Sequence, residues 1–359
     1  MLKCSFLAGL AALCLMTAAA AKEPLLVIYD NDFYGPTSAD IIPLIGSPDV
    51  HVLGFTVVSG DGWRDEEAAY LMRSMEIFHR TDIPVYLGAV DPLINSQPRL
   101  EAWQKTHGKF VWKGAWNDAA MGPLFHPTEP YKIGPIEEGA PTGLKAQKEG
   151  AVQFMIRAVH EHPHQVTILA AGPLTNLALA QRIDPEFASL AKELIFMGAL
   201  IDTNLGQVTG SANFNVDFNI IFDPEAAHIV FTAPWAKIVS VGDISNHMLM
   251  TDKAYKTLIA KKTPVTELLA KHPWQLPMWD ELTAAIFVDP SLVTKEVEAY
   301  MDVDIDHGEH YGIVHVWPEA THPGLGEQKV HIVLDVDKER FLAEFTKAAQ
   351  SKEAYTPAQ

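Results

Sequence analysis

The feature that most constrains the fold is an alternation of continuously apolar segments with amphipathic ones. Residues 25–29 (LLVIY) and 52–58 are apolar runs, and apolar residues at helical spacing follow in 65–80, before a third run at 82–86. The same alternation recurs in residues 151–197. An apolar run that ends in a polar loop is typical of a strand buried in a parallel sheet. The pattern predicts an α/β fold with a mostly parallel central sheet, helices on both faces, and ligands at the carboxyl ends of the strands.

Two segments depart from this alternation. Residues 122–143 are rich in Pro and Gly and predict a long irregular excursion, whereas residues 298–336 alternate apolar and polar residues, as an antiparallel hairpin does. Neither segment has the composition of a linker between domains, and no internal repeat is detectable. We therefore expect one domain over residues 22–359 with a mixed sheet.

The first 21 residues have the composition of an export signal. Met-Leu-Lys precedes an apolar run and an alanine-rich exit, and this run is too short to predict a membrane-spanning helix. Cys4 and Cys14, the two cysteines of the chain, both lie in this segment, so the mature protein would have neither disulfides nor thiolate chemistry. We expect a periplasmic or secreted protein.

The charge of the chain narrows the range of partners. Lys and Arg total 27 against 45 Asp and Glu, a formal net charge of −18, and no basic patch interrupts the sequence. An acidic chain repels phosphate backbones and anionic lipid. The sequence therefore predicts that neither nucleic acid nor a membrane surface is a partner of this protein.

The densest acidic cluster follows the first predicted strand. Asp30 and Asp32 are spaced to project to one side of an extended chain, and Asp40 could be brought back to them by the loop, giving an all-oxygen cation site. A turn at Gly35-Pro36 followed by a helix cap explains the same residues without a metal.

Two further clusters give weaker signals for a metal. Asp302, Asp304 and Asp306 resemble the start of a calcium loop, but glycine falls at the seventh position and Ile313 stands at the twelfth, which favours a strand and turn. The histidines at 160, 162 and 164 follow a predicted helix, where cationic side chains are favoured without a metal. The motifs of zinc proteases, common serine hydrolases and nucleotide-phosphate enzymes are absent from the sequence.

Several segments together resemble the inosine-uridine nucleoside hydrolase family. They include "LLVIYDNDFYGPTSAD", "VTILAAGPLTNLALA", "DFNIIFDPEAAHIVF" and "WDELTAAIFVDP", and the resemblance extends in order over nearly all of residues 25–347. It implies an α/β fold around a mixed sheet, one calcium ion at the strand ends, and hydrolysis of the N-glycosidic bond of ribonucleosides to free base and ribose. It also implies a homodimer or homotetramer.

The resemblance assigns roles where positions match. It implies that Asp32 is both general base and calcium ligand, and that Asp40, Asp280 and the backbone carbonyl of Ala171 complete the calcium site. A ribose-holding triplet falls on Asp217, Phe218 and Asn219, with aspartate in place of the family's glutamate. The other residues assigned to substrate are Asp30, Asp61, Asn213 (with Asn215 as its alternative) and Trp279.

The chain also departs from the family's pattern. Its first acidic loop is longer, Ala39 replaces an acid that contacts ribose, and Asp61 replaces an asparagine. Trp279 stands where inosine-uridine members have a histidine, which suggests stacking on a purine base. The second face of the base would come from Trp103, Trp112 or Trp116, although ordinary packing explains each of these residues as well.

Three functions remain open on this basis. The first is a calcium-dependent ribonucleoside hydrolase with purine preference. The second is a hydrolase of another N- or O-ribosyl compound on the same fold, and the third is a non-catalytic exported protein that binds nucleosides.

Overall fold

The computed structural model describes residues 23–33, 35–110, 112–117, 129–201, 217–273 and 276–355. The predicted export signal at 1–21 lies outside these ranges, as do Asn213 and Asn215. Within the described ranges, no helix is both long and apolar enough to cross a bilayer.

The described residues form a nine-stranded sheet with the order β3-β2-β1-β4-β5-β6-β9-β7-β8. All neighbours from β3 to β9 are parallel, whereas β7 is antiparallel to both β9 and β8. This confirms the predicted mostly parallel, mixed sheet. The strands are β1 (Leu25–Asn31), β2 (Val50–Val57), β3 (Val85–Leu87), β4 (Val166–Ala170), β5 (Glu193–Met197), β6 (Ile238–Val241), β7 (Val293–Val303), β8 (Val314–Trp317) and β9 (Gln328–Val336).

Twelve α-helices accompany the sheet in the described residues. They are α1 (Ile42–Ile45), α2 (Arg64–Ile77), α3 (Gln97–His107), α4 (Ala151–Glu161), α5 (Thr175–Ile183), α6 (Phe187–Leu190), α7 (Phe218–Phe222), α8 (Pro224–Phe231), α9 (Asp252–Leu258), α10 (Pro264–Lys271), α11 (Trp279–Val288) and α12 (Lys338–Ala349). Short 3₁₀ helices lie at Ala39–Ile41, Gly114–Trp116, Asp243–His247 and Pro290–Leu292.

The core has two layers because side chains of a strand alternate between the faces of the sheet. Val27 and Tyr29 belong to one buried cluster, with residues of α1, α2, α11 and α12. Ile28 belongs to the other, with residues of α4, α5 and α8. Helices therefore cover both faces, as predicted, and all five residues of β4 are buried.

The hairpin predicted at residues 298–336 is present in a larger form. Its first strand begins at Val293, and β7 pairs with β9 over most of its length as well as with the short β8. Through β9 the hairpin joins the parallel sheet at β6. Because β1, β2, β4, β5 and β6 run in one direction, the loops that follow them meet at one edge of the sheet.

Candidate active site

Asp32 lies at this edge, directly after β1, and its side chain is held by the loop after β2. It is 5% exposed, and its Oδ2 accepts a hydrogen bond of 2.8 Å from the backbone N–H of Asp61. Its own N–H donates to Oδ1 of Asn31 at 2.9 Å. These two hydrogen bonds fix the orientation of Asp32.

Two glycines allow the backbone to approach Asp32 closely. A Cβ atom at Gly60 would lie 2.0 Å from Oδ2 of Asp32, and one at Gly172 would lie 2.8 Å from its backbone nitrogen. Real Cβ contacts are longer than this, so neither position tolerates a side chain without movement. The glycines of "VSGD" and "AAGP" are thus required by the packing of the loops around Asp32.

Asp40 and Asp280 are brought together by a residue that the sequence did not single out. The side-chain amide of Asn31 donates to Oδ2 of Asp40 and to Oδ2 of Asp280, both at 3.1 Å. Asp40 lies in the 3₁₀ helix at Ala39–Ile41, and Asp280 lies in the first turn of α11. Asn31 also lies 3.1 Å from the hydroxyl of Tyr29, two residues earlier on the same side of β1. Because alternate residues of a strand share a side, the sequence could have predicted that Asn31 lies beside Tyr29, but not that it contacts Asp40 and Asp280.

The electrostatics of these acids are unfavourable in the absence of a cation. Burial, and then the charge of Asp61, raises the pKa of Asp32 well above its ordinary value. Burial raises the pKa of Asp40 to about 6, although hydrogen bonds from Asn31 lower it. Burial and the charges of Asp32 and Asp40 raise the pKa of Asp280. These carboxylates repel one another in a site of low polarity, so binding a cation among them is favourable.

The donor chemistry of this cluster fits a hard divalent cation, because all of its side-chain ligands would be oxygen atoms. In the described residues, however, no three His, Cys, Asp or Glu side chains converge closely enough to form a metal site as they stand. The amide of Asn31 lies between Asp40 and Asp280 and provides hydrogen bonds to both.

Ala171 and Asn219 lie together next to β1. The side-chain amide of Asn219 donates to the carbonyl oxygen of Ala171 at 2.6 Å, and the N–H of Ala171 donates to the carbonyl of Asp30 at 2.9 Å. Asn219 is 8% exposed. The structure therefore brings the predicted carbonyl ligand and one predicted ribose ligand into contact with each other.

Asp217 is the N-cap of α7. Its Oδ1 accepts a 3.3 Å hydrogen bond from the N–H of Ile220, and burial raises its pKa to about 7. Phe218 follows it, and its ring lies against Gly114, where a Cβ atom would be 2.2 Å from Cζ of the ring. The predicted ribose contacts of Asp217 and Phe218 remain predictions.

Asp30 and Asp32 have different partners, although the spacing suggested that they share a side of the chain. Oδ1 of Asp30 accepts hydrogen bonds from Thr56 at 2.7 Å and from Asn176 at 2.8 Å, and the residue is fully buried. Burial raises its pKa to about 7. The period of two ends with the strand at Asn31, so it does not extend to Asp32. Asp30 connects β1 to β2 and α5, and its contact with substrate stays a prediction.

The tryptophans divide into two groups. The indole N–H of Trp279 donates to Oδ1 of Asn246 at 2.8 Å, and that of Trp112 donates to Oδ1 of Asp61. By contrast, Trp103 donates to the carbonyl of Gly308 at 2.6 Å, and the buried ring of Trp116 stacks on Phe222. Packing accounts for Trp103 and Trp116, whereas Trp112 contacts the loop that holds Asp32.

Glu67 belongs to the same electrostatic environment and was missed in the sequence. It is buried in the first turn of α2, and burial, followed by the charges of Asp32 and Asp61, raises its pKa well above its ordinary value. In the sequence, Glu67 belongs to an acidic stretch shortly after Gly60-Asp61. Acidic residues there indicate the start of a helix and do not by themselves predict a functional site.

Within the described residues, aspartates and a histidine of the other two candidate clusters contact other side chains. Asp302 lies 2.9 Å from Nδ1 of His228 and belongs to β7, and Asp304 lies 3.7 Å from Nε2 of His315. Nε2 of His160 lies 2.7 Å from Asp184. These partners agree with the strand-and-turn and helix-end interpretations.

The sequence of the chain is similar to those of known nucleoside hydrolases. The family described as inosine-uridine preferring nucleoside hydrolase matches residues 27–343. A probable uridine nucleosidase of Arabidopsis thaliana is 30% identical, over 68% of this chain and 67% of its own length. An inosine-uridine preferring nucleoside hydrolase of Leishmania major is 25% identical, over 88% of this chain and 95% of its own.

Two solved structures have the same fold. A plant nucleoside hydrolase superposes with a TM-score of 0.69 at 24% identity, covering 91% of this chain and 99% of its own. A purine-preferring ribonucleoside hydrolase from Gardnerella vaginalis gives a TM-score of 0.68 at 22% identity, covering 90% and 98%. At these identities the likeness establishes the architecture of the sheet and its helices.

Proposed function

Because the chain belongs to the inosine-uridine preferring nucleoside hydrolase family, we propose that it hydrolyses ribonucleosides to free base and ribose, requires calcium and prefers purines. The observation that carries the proposal is the position of Asp32. Its carboxylate is held by the N–H of Asp61 at the carboxyl edge of the sheet, in the same acidic environment as Asp40 and Asp280.

The calcium site would consist of Asp32, Asp40, Asp280 and the carbonyl of Ala171. When bound, the ion would offer coordination positions to the vicinal ribose hydroxyls and would lower the pKa of a water molecule. The carbonyl of Ala171 has two lone pairs, so its bond from Asn219 leaves one for the ion.

The residues of the chain then have separate tasks. Asp32 accepts the proton of the attacking water, and a general base of this kind contributes roughly 10²–10⁴-fold to the rate. The negative charge of the surrounding acids stabilises the oxocarbenium-like ribose that forms as the glycosidic bond breaks. Asn219, which donates to the carbonyl of Ala171, and Asp217, two residues before it, would bind the ribose hydroxyls.

The purine preference is supported by Trp279. Its indole is fixed by Asn246, so a flat aromatic surface is presented without the cost of ordering it upon binding. An indole cannot protonate the leaving base as a histidine would, but it can stack on a purine. The names of the relatives include both uridine and purine nucleosidases, so the preference rests on this residue.

A second substrate class is favoured by a specific observation. Ala39, which is 5% exposed, stands where the family has an acid that contacts ribose, and Asp61 stands where the family has an asparagine. Both changes alter the environment of the sugar, which favours another N- or O-ribosyl compound as the alternative substrate. Binding without turnover is the remaining alternative.

Export and assembly are part of the proposal as well. The first 21 residues support a periplasmic or secreted location, and the family resemblance supports a homodimer or homotetramer. Both rest on the sequence alone.

The test is release of free ribose by the purified mature protein from a panel of purine and pyrimidine ribonucleosides, with calcium and after chelation. We expect calcium-dependent release that is fastest with purines, and a Trp279→Ala variant whose KM rises about tenfold for purines but not for pyrimidines. Nucleoside binding without ribose release would instead identify a binding protein. Release of ribose only from other ribosyl compounds would identify the second substrate class.

A further inference from the structure

A loop distant in sequence packs directly against the turn that holds Asp32. This loop, Trp112–Asn117, will be called the clamp loop. The N–H of Ala115 donates to the carbonyl of Gly60 at 2.8 Å. Gly114 has a left-handed backbone with φ of 54°, and a Cβ atom there would lie 2.2 Å from the same carbonyl oxygen. The clamp loop therefore fits against Gly60 with no space for a side chain.

The clamp loop is also fixed internally. The side chain of Asn117 accepts a 3.0 Å hydrogen bond from the N–H of Lys113, and its own N–H donates to the carbonyl of Gly114 at 2.8 Å. Trp116 is 4% exposed and stacks on Phe222, with 4.5 Å between ring centroids. These contacts attach the clamp loop to the protein core independently of Trp112.

Trp112 extends from this support to Asp61, and Asp61 is bound at both of its ends. The indole N–H of Trp112 donates to Oδ1 of the Asp61 side chain. The backbone N–H of Asp61 donates to Oδ2 of Asp32 at 2.8 Å. The three residues form a continuous chain of hydrogen bonds from the clamp loop to the general base.

We propose that Trp112 is a positioning residue, which holds Asp61 so that its backbone N–H stays directed at Oδ2 of Asp32. The proposal rests on the proposed hydrolase function, because it concerns the orientation of the general base. Asp61 follows Gly60, and the residue between Asp61 and Trp63 is also a glycine, so the turn has few side chains to restrain it. The indole bond supplies that restraint from outside the turn.

The expected effect is on turnover more than on substrate affinity. Catalytic groups tolerate little displacement, and a shift of about 1 Å can cost about 10²-fold in rate. Trp112→Phe keeps a ring and removes the N–H donor. We expect it to lower kcat at least tenfold, with KM changed less than about threefold.

Three companion variants identify the cause. Asp61→Asn keeps an oxygen acceptor for the indole and serves as the structural comparison in the resonance measurement below, whereas Asp61→Ala removes the acceptor and should lower kcat about as much as Trp112→Phe does. The double variant with both Trp112→Phe and Asp61→Ala should be no slower than either single variant, because both remove the same bond. Trp235→Phe is the matched control, since its indole donates to the carbonyl of Val230 in another part of the fold.

Two kinetic results would overturn the proposal. One is a Trp112→Phe enzyme with the kcat of the wild type and of the Trp235→Phe control. The other is a double variant in which the two losses multiply, since independent contributions would then be at work. Melting temperatures of all variants show whether a loss reflects unfolding, and Asp61→Asn separates the loss of a bond from a change of the turn.

A measurement without substrate separates this proposal from the proposed function. The indole N–H resonance of Trp112, in protein with ¹⁵N-labelled tryptophan, should move in Asp61→Ala and stay near its position in Asp61→Asn. If the wild type releases no ribose while this resonance responds as expected, the hydrolase function fails and the bond is present. If the chemical shift of this resonance is unchanged in Asp61→Ala, the positioning role is wrong whether or not the enzyme is active.

Discussion

Adding a single methyl group at Gly60 should inactivate the enzyme without unfolding it. In Gly60→Ala the new Cβ atom would lie 2.0 Å from Oδ2 of Asp32 and 2.8 Å from Cδ of Pro173. The proline ring cannot rotate away, so most of the adjustment falls on the carboxylate. That carboxylate is the one that the N–H of Asp61 holds at 2.8 Å.

The size of the displacement sets the size of the effect. Real Cβ atoms essentially never lie within 3.0 Å of a heavy atom, so Oδ2 of Asp32 must move by at least about 1 Å. A displacement of this size at a catalytic group costs about 10²-fold in rate. The strain costs stability as well, by about 1–3 kcal/mol, as other small-to-large changes in packed regions do. A domain of this size remains folded after such a loss.

The assay is steady-state release of ribose from a purine nucleoside, together with a melting curve. Gly143→Ala is the matched control, because a Cβ atom there would have its nearest neighbour, Oε1 of Glu76, at an ordinary 3.6 Å. We expect kcat to fall about 100-fold in Gly60→Ala and to stay at the wild-type value in Gly143→Ala. A folded Gly60→Ala enzyme with wild-type kcat would show that the orientation of Asp32 does not matter for turnover.

Two further predictions concern the buried carboxyl groups of Asp32 and Asp217. Asp32→Asn should lower kcat at least about 100-fold and raise the melting temperature of the chelated protein, because it removes a buried charge that faces Asp61; unchanged turnover would exclude Asp32 as the base. Burial raises the pKa of Asp217 from 3.8 to about 7, so between these pH values the native state binds more protons than the unfolded state, and this residue's contribution to stability falls as pH rises. Asp217→Asn keeps the acceptor for the N–H of Ile220. The melting temperature of this variant minus that of the wild type should therefore increase as the pH rises from about 4 to about 7. A difference that stays constant across that range would contradict the raised pKa.

Much of the fold was predictable because local patterns determine it. The apolar runs at residues 25–29 and 166–170 are strands β1 and β4, and the alternation in 298–336 is an antiparallel hairpin. Parallel strands buried on both faces have few competing interpretations when they alternate with amphipathic helices. Helix α3 and strand β6 were not predicted, since β6 has only four residues and α3 buries only Leu100.

The composition of the acidic cluster was predictable only in part. Asp32 and Asp40 are close in the sequence, so their proximity follows from a short chain segment. Asp280 comes from α11, 249 positions after Asn31, and its arrival beside Asp40 depends on the packing of α11 against the first layer of the core. No local pattern encodes such a contact, and here the family resemblance supplied it.

The hydrogen-bonding residues between the acids were harder to predict than the acids. Asn31 was given no role from the sequence, yet its amide connects Asp40 and Asp280. Trp112 was considered for stacking, yet its N–H binds Asp61, 51 positions earlier. Amide and indole donors suit many surroundings, so their partners become evident only when the tertiary structure is known.

The site concentrates features that oppose stability in one place. Asp32, Asp40 and Asp217 are all nearly buried, and burial raises the pKa of each. Such groups are tolerated only where the rest of the fold holds them, and the two-layered core on either side of β1 does so. A cation bound among Asp32, Asp40 and Asp280 would relieve the repulsion between these carboxylates, which connects the proposed calcium requirement to stability as well as to turnover. Calcium should therefore raise the melting temperature of the wild type more than that of Asp32→Asn, since the variant has lost both a ligand and a source of repulsion.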